Sequence, residues 1–390
     1  MSLNGKAYIA GVYEHPTRKA IDKTLPELHA DVAAGALADA GISASDVDGY
    51  FCAGDAPGLG PINMVDYLGL NNLKHVDSTD TGGSSYVVHV EHAAQAIASG
   101  RCKIALITLA GRPAAEGMAT GTAPRVYSQL APDVQFEFPY APVVTNMYAM
   151  AAMRHMHEFG TTSEQLAWIR VAASTHAQYN EHALRREVVT VEDVVNSPMI
   201  TTPLHRLDCC VISDGGGALV VVHPDVAKEL SRPKIKVRGC GTGVKGQLNG
   251  NVDLTYTAGR LSGPKAFEEA GVKPSDMKYA SIYDSFTITV LLQLEDLGFC
   301  EKGEGGKFVA DGNLISGVGK LPFNTDGGGL CNNHPANRGG MTKVIEAVRQ
   351  LRGEAHPKVQ VANCDLAVAH GTGGSIGTRH CSSTVVLERE

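Results

Sequence analysis

The chain has 390 residues, 43% of them hydrophobic and 19% charged, with a formal net charge of −7. This composition is typical of a globular protein and excludes a disordered or fibrous one. No long Lys/Arg block is present, which argues against nucleic acid as a partner. No apolar run reaches the roughly 18 residues of a membrane span, and the N-terminus is a poor signal peptide, so we expect a cytoplasmic protein.

The nine cysteines are scattered along the chain without a paired framework. This arrangement indicates reduced thiols and no disulfides. Cys331 and His334 have the spacing of a metal-binding pair, and Cys209 and Cys210 are adjacent. No second pair completes a tetrahedral set, so we predict no metal site.

Apolar strands alternate with helical patterns over the first 111 residues. The order is strand, helix, strand, helix, strand, in the segments 8–12, 25–41, 47–54, 82–100 and 103–111. This alternation is typical of βαβ units. Residues 113–205 break the pattern with a run of prolines followed by helical stretches, as expected of an insertion that lies over a site.

The alternation restarts near residue 231 and continues to the C-terminal strand STVVLERE. The predicted fold class is therefore α/β, built from two similar halves. We place the first half at 1–230, with the insertion at 113–205, and the second half at 231–390.

Several short segments resemble motifs of the thiolase superfamily, in particular its sterol-carrier-protein-type and lipid-transfer-type members. YDSF is similar to the HDCF or NEAF block and NHPANRGG to the GHPxGxTG block, LRGEA follows at the family's spacing, and AHGTGG resembles the last glycine-rich loop; these are residues 283–286, 333–340, 351–355 and 369–374. The resemblance covers essentially the whole chain. It implies a five-layered αβαβα fold, with the insertion covering bound CoA.

The segment VDSTDTGGSSY (76–86) stands where thiolases carry their nucleophilic cysteine. That thiolate, activated at a helix N-terminus, attacks the thioester. The resemblance places Asp80 at its position, and the nearest cysteines along the chain, Cys52 and Cys102, are far from it, so we expect no acyl-cysteine there. Asp80 is either a helix N-cap or a carboxylate that polarises or deprotonates a group in the pocket.

The same resemblance suggests roles for three further side chains. His334 matches the histidine that donates to the enolate oxygen of the acyl thioester. Tyr283 stands in place of a histidine or asparagine near the thioester oxygen, where a phenol can donate to an oxyanion or accept a proton; the alternative is a core tyrosine. His370 occupies the place of a second catalytic cysteine or histidine, so it is either a proton shuttle or structural.

The substrate-binding residues are expected around the same segments. Gly371, Gly373 and Gly374 are expected to let backbone amides approach a ligand closely, and Ser84 is assigned to the same binding role. Arginines of the insertion are available for CoA phosphates or are simply solvated; they are Arg125, Arg154, Arg170, Arg185 and Arg186. We expect no bound cofactor, with CoA present only as part of the substrate.

A fold that binds acyl-CoA but lacks the nucleophilic cysteine predicts that a carbon–carbon bond is made or broken through a thioester enolate. The favoured reaction is retro-aldol cleavage of a β-hydroxyacyl-CoA, as in thiolase-like aldolases. Two alternatives stay open: a thiolase that uses another thiol, with Cys331 as the first candidate, and an acyl-CoA- or lipid-binding scaffold without chemistry. The resemblance also implies a homodimer and a possible small zinc-ribbon and OB-fold partner subunit that holds the acyl-CoA.

Overall fold

A computed structural model describes residues 2–118, 143–246, 251–335 and 338–390 of the chain. The strands are β1 (Tyr8–Glu14), β2 (Gly49–Phe51), β3 (His75–Asp77), β4 (Ile104–Gly111), β5 (Met199–Thr201), β6 (Leu204–His205), β7 (Gly215–Val222), β8 (Ile235–Lys245), β9 (Tyr279–Ile282), β10 (Leu366–Ser375) and β11 (Arg379–Arg389). In the described part of the chain, nine of them form one sheet in the order β3-β2-β4-β7-β1-β8-β11-β10-β9.

The helices lie between these strands. They are α1 (Leu25–Ala40), α2 (Pro61–Tyr67), α3 (Ser85–Ala98), α4 (Val144–Phe159), α5 (Ser163–Ala177), α6 (Val191–Val195), α7 (Pro224–Glu229), α8 (Gly259–Ala270), α9 (Thr287–Asp296), α10 (Gly305–Val309), α11 (Gly328–Cys331) and α12 (Gly340–Arg352). None of the helices in the described ranges is both long and apolar enough to span a membrane.

Local sequence signals explain the limits of the first helix. Thr24 accepts a hydrogen bond from the Glu27 backbone N–H, and the Glu27 carboxylate accepts one from the Thr24 N–H, so the two form a capping box at the start of α1. The helix ends at Gly41, whose φ of 69° suits the left-handed cap. The helix predicted over 25–41 is therefore confirmed.

The same order of strand pairings occurs twice along the chain. In the first half, β1 pairs with β7 and β7 with β4, both antiparallel, while β4 pairs with β2 and β2 with β3 in parallel. In the second half, β8, β11 and β10 pair antiparallel in that order and β10 pairs with β9 in parallel. Phe323 forms a parallel bridge with Ala280 of β9, and it thereby takes the position that β3 has beside β2 in the first half. The predicted α/β fold with two similar halves is confirmed.

The two halves of the sheet are joined by a short antiparallel pairing of β1 with β8, through Tyr8 with Lys236 and Ile9 with Ile235. The boundary predicted near residue 231 falls between β7 and β8. That this boundary divides the chain into two domains stays a prediction.

Helices α3 and α12 lie between the two halves of the sheet, because each contacts strands of both halves. Alternate side chains of a strand face opposite sides of the sheet. Ile9 and Ile107 accordingly pack in the cluster that contains α3 and α12, while Ala10 and Leu106 pack in the cluster that contains α1. Helix α1 covers the outer side of the first half and α8 that of the second, which gives five layers.

The structure describes residues 113–118 and 143–205 of the insertion. The insertion forms α4, α5, α6 and the hairpin β5–β6, and α5 contacts α9, α10 and α11 in the second half. The insertion therefore packs against the second half of the sheet, on the side of the loops that follow β9.

The segment 369–374 was expected to be a glycine-rich loop, and the structure corrects this. These residues belong to β10, which pairs with β11 along its whole length. Their glycines make room for the turn 82–84 that precedes α3. A Cβ added to Gly373 would lie 1.7 Å from the carbonyl oxygen of Thr81 and 2.8 Å from the backbone nitrogen of Gly83.

We predict that Gly373→Ala destabilises the protein, because the added methyl group meets rigid backbone on the neighbouring turn. Overpacking of this kind typically lowers the free energy of unfolding by about 1–3 kcal/mol. Urea denaturation measures the change. Gly246→Ala is the matched control, because a Cβ there meets nothing within 4 Å; an equal effect of both substitutions contradicts the packing argument.

Candidate active site

The N-termini of α3 and α12 meet at two glycines. A Cβ added to Gly340 would lie 2.3 Å from the carbonyl oxygen of Gly83. A Cβ added to Gly83 would lie 2.4 Å from the hydroxyl oxygen of Tyr283 and 2.3 Å from the carbonyl oxygen of Thr372. The positive ends of the two helix dipoles and the Tyr283 hydroxyl therefore lie close together. This arrangement stabilises a negative charge that develops there.

Tyr283 and His334 form a hydrogen-bonded pair at this place. The Tyr283 hydroxyl oxygen lies 2.8 Å from Nε2 of His334, and the two rings meet edge to face. Burial raises the pKa of Tyr283 well above its usual value, so the phenol is protonated near neutral pH. A protonated phenol beside an imidazole nitrogen is suited to passing a proton along the hydrogen bond.

The loop that carries His334 is anchored to the first half of the chain. The His334 backbone N–H donates to Oγ of Ser213 at 2.8 Å, and that hydroxyl donates to the side-chain oxygen of Asn333 at 2.6 Å. The Asn333 side-chain amide in turn donates to the carboxylate of Glu14 at 3.0 Å. Burial alone would raise the pKa of Glu14, but Arg18 and Arg349 outweigh it and lower the pKa to about 2.

The loop that carries Tyr283 is held by the next residue, Asp284. Its carboxylate accepts hydrogen bonds from the backbone N–H groups of Gly329 at 2.8 Å and Leu330 at 3.1 Å, at the start of α11. It also pairs with Nζ of Lys343 in α12 at 2.8 Å, and both side chains are buried. Asp284 thus fixes the end of β9 to two helices, and the orientation of Tyr283 depends on it.

Asp80 lies at the turn before α3, where its partly exposed carboxylate has several partners within the protein. Its carboxylate accepts from the backbone N–H groups of Gly82 at 2.9 Å and Gly54 at 3.2 Å, and from Nη2 of Arg338 at 2.6 Å. Burial would raise the pKa of Asp80, but Arg338 outweighs it and the pKa is lowered. These contacts fix the turn before α3, whose N-cap is Ser84, and none of them joins Asp80 to Tyr283 or His334; both roles considered for Asp80 stay predictions.

The structure separates His370 from this group. Its Nδ1 lies 2.8 Å from the hydroxyl of Thr384 in β11, and its Nε2 lies 3.4 Å from where a Cβ on Gly259 would stand, at the start of α8. The neighbouring Gly371 faces α3 instead. Successive side chains of a strand point to opposite faces, so the His370 ring faces away from α3 and Tyr283. The structure therefore does not bring the His370 side chain to the Tyr283–His334 pair, and a role for it as a proton shuttle stays a prediction.

The residues expected to bind the ligand, Ser84 and the glycines of segment 369–374, contact other parts of the chain instead. The Ser84 hydroxyl is buried and donates to the carbonyl oxygen of Thr81 at 2.9 Å. A Cβ on Gly371 would meet Val87, and one on Gly374 would meet the carbonyl oxygen of Arg379 at 2.3 Å. These glycines and Gly373 allow close packing of protein on protein, so the ligand-binding role expected for them and for Ser84 gains no support.

A cavity of about 490 Å³ has Cys210 in its lining. Its lining is mostly apolar with several arginines and comprises Met118, Arg170, Leu184, Arg185, Ser197, Pro198, Ile200, Arg206, Leu207, Cys209, Cys210, Val211 and Ile212. Cys210 connects the cavity to the pair, because its Sγ lies 3.6 Å from Nδ1 of His334. Cys210 thus lies between the cavity and His334, which does not itself line the cavity.

The arginines expected to bind phosphates are found in different places. Arg170 and Arg185 line the cavity, and so does Arg206, which no sequence pattern indicated. Arg154 pairs with Glu158 on the same helix. Of the remaining two, Arg186 donates to the carbonyl oxygen of Gln178 and Arg125 lies outside the described residues.

Cys210 is the site residue that the sequence did not reveal. It approaches His334 because its backbone N–H donates to the carbonyl oxygen of Ser285 at 2.9 Å, next to the YDSF block. Burial raises the pKa of its thiol above the usual value. Cys331 is fully buried in α11, and burial raises its pKa to about 11. All nine cysteines are free thiols, and no group of three or more metal-binding side chains occurs in the described ranges.

Comparison with known proteins identifies the family. The model of the family Thiolase C-terminal domain-like matches residues 243–389. A steroid side-chain-cleaving aldolase of Thermomonospora curvata is 36% identical over 362 residues, which cover 90% of this chain and 91% of that protein. The chain belongs to the thiolase superfamily. The predicted membership is confirmed.

Two further relatives match this thiolase-superfamily chain along nearly its whole length. An acetyl-CoA acetyltransferase of Methanothermobacter thermautotrophicus is 31% identical, covering 95% of this chain and 97% of that protein. The solved structure of an Ltp2-ChsH2(DUF35) aldolase is 32% identical with a TM-score of 0.88, covering 99% of this chain and 98% of that one. This chain is thus similar to aldolases and to an acetyl-CoA acetyltransferase.

We predict that His370→Gln makes stability less sensitive to acid. Burial lowers the pKa of His370 to about 3 from its usual value near 6.5. The unfolded chain therefore binds the proton first, and stability falls as the pH drops from about 6.5 to about 3, by at most about 1.4 kcal/mol per pH unit for one group. Urea denaturation between pH 7 and pH 4 measures the slope for the wild type and the variant.

His182→Gln, at an exposed position, is the control for the substitution itself. In the His370→Gln variant, turnover at neutral pH should stay within a few-fold of the wild type. A slope identical to that of the wild type, together with a hundredfold loss of turnover, would support the proton-shuttle role.

Proposed function

We propose that this protein cleaves the Cα–Cβ bond of a β-hydroxyacyl-CoA by a retro-aldol reaction, without an acyl-cysteine intermediate. The observation that carries the proposal is the 2.8 Å contact between Tyr283 and His334 at the paired helix N-termini. This pair supplies a proton acceptor and a proton donor without a thiolate. The position of the superfamily's nucleophile holds Asp80, which is bound to Arg338.

The reaction begins with a proton relay. The β-hydroxyl proton of the substrate moves to the Tyr283 oxygen while the Tyr283 proton moves to Nε2 of His334. The β-oxygen then forms a carbonyl, the Cα–Cβ bond breaks, and its electron pair passes to the thioester as an enolate. A free phenolate is avoided in this sequence, which agrees with the raised pKa of Tyr283. The proton returns through Tyr283 to Cα and leaves a shortened acyl-CoA and a ketone or aldehyde.

The enolate oxygen is stabilised by the same surroundings. The N-termini of α3 and α12 carry positive partial charge, and His334 carries a full positive charge once it has accepted the proton. His334 thus has two roles in the proposed reaction. It first accepts the proton from Tyr283, and it then stabilises the enolate oxygen, which is the role first considered for it.

The known relatives support this reaction and suggest partners. Two of the three relatives described above are named as aldolases, and the structure of one of them is described as an Ltp2-ChsH2(DUF35) aldolase. We therefore propose that a small subunit holds part of the acyl-CoA for this chain. A homodimer is proposed as well, and the edge strand β3, with Val76 half exposed, is a surface available for it. A cytoplasmic location stays a prediction.

We predict that Tyr283→Phe and His334→Ala each lower turnover by about a hundred- to a thousandfold, with the affinity for the CoA ester changed only a few-fold. Because the two residues act as one relay, the double variant should lose little more than either single variant. Steady-state kinetics with a β-hydroxyacyl-CoA and direct binding of CoA esters separate the two effects.

Tyr279→Phe is the matched control. Tyr279 is also fully buried, lies four residues earlier in β9, and its hydroxyl accepts from the Thr325 N–H at 3.2 Å. Its loss should reduce stability and leave turnover within a few-fold. Equal, small effects on turnover at Tyr279, Tyr283 and His334 would mean that the pair is structural.

Acyl transfer through Cys210 is the second candidate function, because its thiol lies beside His334. Its raised pKa leaves little thiolate at neutral pH, which disfavours it as a nucleophile. Cys331, first considered for this role, is packed inside the protein. Incubation with a labelled acyl-CoA and peptide mass spectrometry separate the functions: an adduct on Cys210 indicates acyl transfer, a ketone without adduct indicates aldol cleavage, and neither indicates a binding scaffold.

A further inference from the structure

Arg170 is a buried cation without an acidic partner in the part of the chain that the structure describes. Its side chain in α5 is 3% exposed, and Nη1 donates to the carbonyl oxygen of Leu330. Nε has no hydrogen-bond partner among the described residues, and no carboxylate there lies within 4.0 Å of the guanidinium. A buried charge left in this state is costly unless a ligand supplies the missing anion.

The acidic residue that neighbours the cavity lining along the chain, Asp208, is engaged elsewhere. Asp208 precedes Cys209, but its carboxylate accepts from the Thr287 hydroxyl at 2.7 Å and from the His205 backbone N–H at 2.8 Å. Its ion-pair partner in the structure is His205. Asp208 therefore does not neutralise Arg170.

Arg170 and Cys210 line the same cavity. Cys210 contacts His334, so an acyl group that reaches from the Tyr283–His334 pair into this cavity would meet Arg170 in its lining. Most of the other lining residues are apolar, among them Leu207 and Val211. The site is thus built for a short carbon chain with a negative charge at its far end.

We propose that the acyl group of the substrate carries a carboxylate of its own, which Arg170 binds, so that the substrate class is the mono-CoA thioester of a dicarboxylic acid. The Nε edge of a guanidinium presents two parallel N–H groups that match a carboxylate. The identity of the acyl group as a reacting β-hydroxy compound rests on the proposed function; the recognition of its carboxylate does not.

A phosphate of CoA is the other source of such an anion. The phosphates lie at the far end of the pantetheine arm from the thioester, and the exposed Arg185 and Arg206 are available to them on the same cavity. Arg170 is instead buried, with 3% of its surface exposed. The geometry therefore favours the carboxylate over the phosphate at Arg170, and the experiment below distinguishes the two.

Calorimetric binding of matched thioesters tests the proposal with the intact protein. The pairs are succinyl-CoA with butyryl-CoA, glutaryl-CoA with pentanoyl-CoA, and adipoyl-CoA with hexanoyl-CoA, which differ within a pair by the terminal carboxylate. We expect at least one carboxylated ester to bind about tenfold or more tightly than its partner. Equal affinity within every pair overturns the proposal, whatever any variant does.

Arg170→Met should abolish the preference while leaving the uncharged ester and free CoA within a few-fold of the wild type. Should this variant fail to fold, Arg170→Lys keeps the charge and should reduce the preference, because an ammonium lacks the two-pronged donor. Arg206→Gln, at an exposed position on the cavity, should affect both members of a pair equally. An equal loss of affinity for free CoA and for the carboxylated ester in Arg170→Met would assign the anion to a phosphate and overturn the proposal.

These measurements report binding and do not depend on turnover. A carboxylate preference without any aldol product would contradict the proposed reaction and leave this inference standing. An aldol product without a carboxylate preference would do the reverse.

Discussion

The close contact between Gly83 and Gly340 is the constraint on which the rest of the site depends. With 2.3 Å between an added Cβ and the opposing carbonyl oxygen, no side chain larger than hydrogen fits there. The contact lets two helices from different halves bring their positive ends together, which neither half achieves alone. The Tyr283 hydroxyl lies against the same glycine, so a displacement of either helix also displaces the phenol.

Fixed charges around the Tyr283–His334 pair are compensated within the protein. Asp80 is neutralised by Arg338 and Asp284 by Lys343, so these groups position loops without adding a strong field. The positive potential at the pair then comes mainly from the helix ends, which suits chemistry that begins and ends with neutral groups. Arg170 departs from this pattern, and for that reason its unpaired charge indicates a ligand and not a structural ion pair.

Local features such as a helix cap could be predicted from the sequence, whereas the side of the sheet that a strand residue faces could not. The capping box at Thr24 and the period of α1 predicted that helix correctly. The YDSF and NHPANRGG segments directed attention to Tyr283 and His334, which the fold does bring together. His370 could not be placed, because one residue of register decides whether a strand side chain faces α3 or α8.

Cys210 could not have been found because its contact with His334 joins segments 124 residues apart. The glycines of β10 show the same limit: the sequence indicated a close approach of backbone, but only the fold reveals that the turn 82–84 makes that approach.

Segment 76–86 contains no cysteine, and the Asp80–Arg338 pair fixes the turn before α3. A thiolate at a helix N-terminus needs positive potential that no other anion uses. Here Arg338 is bound to Asp80 and also lies 4.0 Å from the buried carboxylate of Asp55, so its charge is already matched. A cysteine at position 80 would leave Arg338 with one acidic partner fewer and still lack a neighbouring base. In the proposed reaction, the acid–base work lies instead with Tyr283 and His334, which need no anion at the turn before α3.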